Sequence, residues 1–139
     1  MVAAAEAKAK AEGWSSVISV VDSDGLPIIL ERMDNPDVLA GVDLAPGKAR
    51  TAALFRRESG ALEDAVNGKR PALETACGFV LMRGGVPIVV DGQIVGAIGV
   101  SSDTPDHGPP SAPVCSMRSL NLLGLCARNS ASSSWSEYR

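Results

Sequence analysis

The sequence predicts one α/β domain of the α+β kind, with helices packed on a sheet made of antiparallel hairpins. Two observations carry that expectation. β-Branched runs meet twice across turn chemistry, at Asp22-Ser23-Asp24-Gly25 and at Asp91-Gly92, and paired runs of this kind read as β-hairpins. Between them Ala45, Ala49, Ala52 and Ala53 recur with helical spacing, while Lys48, Arg50, Arg56 and Arg57 stay polar. A length of 139 residues with a net charge of -3 suits a single domain without long-range attraction for phosphate. No nucleic-acid partner is expected. No apolar run approaches the ~20 residues that span a bilayer, so no membrane partner is expected either.

Residues 3–12 are strong helix formers and stop at Gly13, whose freedom at positive φ suits a C-terminal cap. Glu6, Lys8 and Lys10 interrupt the stretch that a signal peptide would keep apolar. Residues 16–21 and 28–32 read as the strands of the first hairpin, with Pro27 near the start of the second strand, where a missing N–H matters least. A regular helix is placed at about residues 46–57, because Pro46 is accepted only near a first turn or a kink. A shorter helix follows over Ser59–Val66, with Ser59 and Glu63 as a capping pair, and Asn67-Gly68 ends it. Strands are expected at 79–82, 88–90 and 94–100, broken by Gly84-Gly85 and Asp91-Gly92. Gly96 and Gly99 inside the last strand imply that a helix, a ligand or another backbone comes close. Beyond Ser102 the chain turns Pro-rich and then Ser-rich, which reads as a poorly ordered tail.

Four stretches occur in order: Val20-Val21-Asp22-x-x-Gly25, Glu31-Arg32-Met33-Asp34, Gly47-Lys48-Ala49-Arg50-Thr51-Ala52, and Gly84-Gly85-Val86-Pro87-Ile88 through Gly99-Val100-Ser101. Together they resemble the GlcG/HbpS family, the haem-degrading domain also found at the end of PduO proteins, over about residues 3–104. The resemblance implies a profilin-like antiparallel sheet flanked by helices, assembled as a homo-oligomer from dimer to octamer. It also implies a small-molecule ligand. Some relatives bind haem and are linked to its degradation or to iron and redox sensing; others lie beside glycolate, propanediol or cobalamin metabolism. The function so implied is haem or corrinoid binding, or haem utilisation, and the alternative is an enzyme or accessory protein of small-carboxylate catabolism. Two departures stand out. The His that often follows the Gly of the first hairpin turn, an iron ligand, is Leu26 here, and the acidic, Ala-rich helix after the last strand is replaced by the Pro- and Ser-rich stretch. The domain is therefore placed at residues 1–104 and the divergent tail at 105–139; the start also lacks the few residues that usually open the first helix in the family, and a shifted reading frame or a mis-called start is one explanation for the two ends.

Cofactor-binding candidates are Lys48, Arg50, Thr51, Arg32 and Met33. The first three lie near the expected N-terminus of the main helix, where free N–H groups and the helix dipole favour a carboxylate, a phosphate or a haem propionate. In the plainer reading, Lys48 and Arg50 are solvated or pair with Asp43 or another chain, and Thr51 bonds back to its own helix. Met33 offers a soft thioether or a wall for a flat apolar cofactor, the alternative being strand-end packing with Arg32. Asp22 and Asp24 are expected to cap turn N–H groups, and Glu63 and Asp64 to point apart as surface charge. Cys77, Cys115 and Cys126 lack CxxC spacing, which suits a reducing cytoplasm, and Cys77 is read as a small buried thiol. The lone histidine, His107, excludes His-rich metal clusters, and no metal site is assigned. No G-x-S-x-G elbow, Walker loop or dinucleotide fingerprint is present in the sequence, so no residue is assigned to catalysis.

Overall fold

A computed structural model describes residues 1–102. The tail expected at 105–139, with His107, Cys115 and Cys126, lies outside the described residues. In chain order the elements are α1 (Val2–Glu12), β1 (Val17–Asp22), β2 (Pro27–Arg32), α2 (Gly41–Phe55), α3 (Ser59–Val66), a 3-10 turn (Pro71–Thr75), β3 (Gly85–Val90) and β4 (Gln93–Ser101). The strands form one antiparallel sheet in the order β2-β1-β4-β3, flanked by helices as expected.

Turn chemistry sets both hairpins. Asp22 Oδ1 accepts the N–H groups of Asp24 and Leu26, each at 2.9 Å. Asp91 at φ 50° and Gly92 at φ 77° supply the two left-handed residues that a type I′ turn requires. The two faces of the sheet are then covered separately. Ile18, Ile98 and Val100 pack with Ala5 of α1 on one face. Val21 and Ala97 pack with Ala49, Ala52 and Ala53 of α2 on the other.

The contact under α2 is backbone against backbone. Gly85 and Gly99 lie opposite each other in the β3–β4 ladder. A Cβ on Gly99 would overlap the carbonyl oxygen of Ala45, and one on Gly85 that of Lys48. Gly99 is thus explained by the helix, whereas a Cβ on Gly96 would meet the Val21 carbonyl of the neighbouring strand.

Several expectations are corrected. Helix α2 starts at Gly41, not at 46, which leaves Pro46 inside it without the N–H that would bond the Val42 carbonyl. Tertiary contact offsets that loss: a Cβ on Gly41 would stand 2.9 Å from Val17 Cγ2, so the extra turn is packed onto β1. Residues 79–82 form no strand. Their polar groups are taken by helix side chains, with the Val80 N–H donating to Thr51 Oγ1 at 3.1 Å and Ser59 Oγ donating to the Met82 carbonyl at 2.7 Å. Ser59 also accepts the Gly85 N–H at 2.8 Å, and α3 is capped by Glu58 without a side-chain bond. Glu63 and Asp64 do not diverge. Both meet Arg83, through its backbone N–H at Glu63 Oε2 and its Nη2 at Asp64 Oδ1, each at 2.5 Å. Cys77 is exposed, because it sits in the turn after the 3-10 segment and enters no strand.

Candidate functional site

The five candidate residues fall in separate places. Lys48 and Thr51 face inward. They and Arg50 lie in the middle of α2, past the free N–H groups of its first turn, so no helix terminus stands beside them to hold an anion, contrary to expectation. Lys48 is only 7% exposed; its stem runs beside Gly84 and Nζ donates to the Val100 carbonyl at 3.4 Å. Thr51 is fully buried, donates to the Gly47 carbonyl at 2.8 Å and accepts the Val80 N–H. Its hydroxyl fastens the 79–82 segment to the helix.

Arg50 turns the other way and is exposed. Its Nη1 donates to the Gly78 carbonyl at 3.0 Å, and the guanidinium carbon stands 5.0 Å from the centre of the Phe79 ring. Phe79 in turn meets Phe55 edge to face, with centroids 5.0 Å apart. The aliphatic stem of Arg50 supports the first hairpin turn, since a Cβ on Gly25 would lie 2.9 Å from Arg50 Cγ and 3.3 Å from the Leu54 side chain. Leu26, the next residue, is 61% exposed. Among the described residues no carboxylate pairs with Arg50. A cation with spare donors, fixed between the Gly25 turn and Phe79, can hold a carboxylate whose remainder is apolar.

Arg32 and Met33 are at the far end of β2 from that turn. They line a cavity of about 380 Å³ with Glu6 and Lys10 of α1, Trp14 and Glu31. Met33 Sδ accepts the Ser16 N–H at 3.4 Å, which ties the thioether to the strand end. Lys10 Nζ bonds Glu6 Oε1 at 2.5 Å. That hydrogen bond, and then the charge of Lys10, hold the Glu6 carboxyl below its ordinary value, and the same pair raises the Lys10 ammonium. The structure thus brings Arg32 and Met33 together, but not with Lys48, Arg50 or Thr51.

Gly25, Gly78 and Phe79 were not among the sequence candidates. One signal was available: the chain has just two Phe, and they meet each other where Phe79 stacks on Arg50. Among the described residues no three His, Cys, Asp or Glu side chains converge to hold a metal ion. Nor is any described helix long and apolar enough to cross a membrane.

Comparison with known proteins gives a consistent answer. The model of the family described as haem degrading protein HbpS-like matches residues 1–108. Protein GlcG of Escherichia coli K12 is 46% identical over 101 residues, which cover 73% of this chain and 75% of GlcG. The solved structure of Klebsiella pneumoniae protein ORFY superposes with a TM-score of 0.66 at 29% identity, covering 76% of this chain and 74% of that one. A crystal structure described as a PduOC:heme complex gives 0.64 at 28% identity, covering 76% and 78%. With its sheet order, the glycine contacts under α2 and these matches in hand, the chain belongs to the HbpS-like family.

Proposed function

We propose that this protein binds a small anionic ligand with a flat apolar body, haem or a corrinoid, in haem utilisation, and that it works in the cytoplasm as a homo-oligomer. One observation carries the reading: Arg50 is held by Gly78, Phe79 and the Gly25 turn, yet keeps donors for a propionate at an apolar surface. A family relative solved with haem supports the ligand class. The exposed, free thiol of Cys77 suits a reducing compartment. Lys48 and Thr51 act as positioning residues that fix the helix from which Arg50 projects. The donor set fits the periphery of haem and not its iron, because Leu26 at the turn has no lone pair to offer. Affinity at this surface therefore comes from propionate and apolar contacts.

Haem titration followed at the Soret band tests this. The expected result is a saturable shift at one haem per subunit or per dimer, at least about tenfold weaker in Arg50→Ala and partly restored in Arg50→Lys. Unchanged affinity in Arg50→Ala moves the site elsewhere. No saturable shift in the native oligomer removes the haem reading.

A second reading, an enzyme or accessory protein of small-carboxylate catabolism, is favoured by the absence of an imidazole at Leu26, since the same guanidinium suits a ligand that needs no iron bond. Stabilisation by glycolate that disappears in Arg50→Ala, without a haem shift, would select it.

A further inference from the structure

Strand β2 forms an edge of the sheet and pairs only with β1. Its aliphatic residues are open to solvent: Ile28 is 67%, Ile29 42% and Leu30 46% exposed. Exposed apolar edges recruit another strand, and folded proteins ordinarily guard them with charge, proline or a bulge. Here the guards stand at the strand ends. Pro27 has no N–H to donate, the register shifts between Val20 and Val21 opposite the start of β2, and Glu31 and Arg32 close the other end. Between them lies an unguarded stretch.

We infer that β2 is the surface on which two copies of this chain meet, by antiparallel β2–β2 pairing across a two-fold axis through Leu30. This deepens the self-assembly contained in the proposed function and rests on it. The backbone fixes the register. The Met33 N–H bonds the Ser16 carbonyl and the Ile29 carbonyl accepts from Ser19 Oγ, so residues 29 and 33 point toward β1. By the alternation of an antiparallel ladder, Leu30 and Arg32 present their N–H and C=O groups to the open edge, and Ile28 is the unpaired residue at the bulge. Centring the pair on Leu30 places Ile28 opposite Arg32 and Ile29 opposite Glu31 of the second copy. Every charge then faces an aliphatic side chain, and the outward N–H and C=O of Leu30 meet those of Leu30 in the second copy. Centring it on Arg32 would set two guanidinium groups against each other, and centring it on Ile28 would need outward groups from Leu26, whose carbonyl is used by Asp22. A strand that pairs with itself in one favoured register is the isologous contact of a two-fold dimer, which is why the occupant is a second copy and not an unrelated peptide.

The test is mass in solution by light scattering at tens of micromolar, on the wild type, Leu30→Lys and, as control, Leu39→Lys, a loop residue 74% exposed. The expected wild-type mass is an even multiple of the subunit, halved in Leu30→Lys and unchanged in Leu39→Lys, with all three showing the same far-UV circular dichroism. A monomeric wild type overturns the pairing together with the assembly reading. An oligomer unaffected by Leu30→Lys overturns the pairing alone. Should Leu30→Lys misfold, Leu30→Cys on a background with the native cysteines replaced by serine gives a second readout. Residues on the axis cross-link under oxidation, and failure of Leu30→Cys to form a covalent dimer in an oligomeric sample overturns the assignment.

Discussion

The inner and outer faces of α2 come from one short stretch, Ala45 to Ala52, and differ in what they can tolerate. On the inner face Ala45, Lys48 and Ala49 lie so close to Gly85 and Gly99 that a methyl group has no room. On the outer face Arg50 spans between the first hairpin turn and Phe79 and keeps contact with solvent. This stretch, which contains one of the four that together carried the family resemblance, is therefore mainly a packing device. It specifies how the helix sits on the sheet, and one of its members, Arg50, is left to meet a ligand.

Substitutions that cross this divide are the way to break the comparison. The largest effect is expected at Gly99→Val, which drives a branched side chain into the Ala45 backbone; a loss of about 3 kcal/mol or more should appear as a collapse of the urea midpoint. A small loss there would mean that α2 can slide, and the inner face would no longer count as rigid. Thr51→Val keeps the shape but strands the half-buried Val80 N–H, at a cost of about 1–3 kcal/mol. In a domain of this size each kcal/mol lowers the melting temperature by roughly 4–8 °C, so calorimetry reads it directly.

Arg50→Ala sharpens the contrast from the other side. It removes a cation–π contact worth about 0.5–1 kcal/mol at an exposed site, so stability should barely change while haem affinity falls. If it unfolds the chain instead, the two faces are alike. The smallest effect is expected on α1. Glu6 is held below its ordinary value, so its contribution exists above an unfolded value of 4.5 and is lost as pH falls through the folded one. Lys10 is raised, so its contribution exists below 10.5 and is lost as pH rises through its folded value. The pair stays open to solvent, with Lys10 exposed and Glu6 half-buried, so Glu6→Gln should change the pH profile of the melting temperature little.

What was legible in the sequence was the local chemistry. Gly13, Asp22 to Gly25 and Asp91-Gly92 dictate their turns from their own side chains and φ preferences, and the hairpin strands that the two turns join fall close to where expected. Contacts made at long range were not legible. The first turn of α2 exists because Val17 lies against Gly41, and residues 79–82 lose their strand because Thr51 and Ser59 hydroxyls capture their backbone. Arg50 was a candidate for a reason that fails, the helix terminus. The reason the structure supplies, its place between Gly25 and Phe79, joins residues far apart in the chain and has no local signature.

The strand order also constrains how the molecule forms. Each edge strand is the hairpin partner of a central one, but the central pair β1 and β4 comes from opposite ends of the described chain, with Val17 opposite Ser101. Neither hairpin is a sheet by itself. The chain must close a loop containing α2, α3 and β3 before β1 and β4 can meet, and the entropy of that closure precedes any reward from packing. Folding should consequently be slow for so short a domain, with α2 against Gly99 forming early and the β2 edge late, so that Gly99→Ala slows refolding while Leu30→Ala mainly hastens unfolding. Stopped-flow rates in urea would record that order.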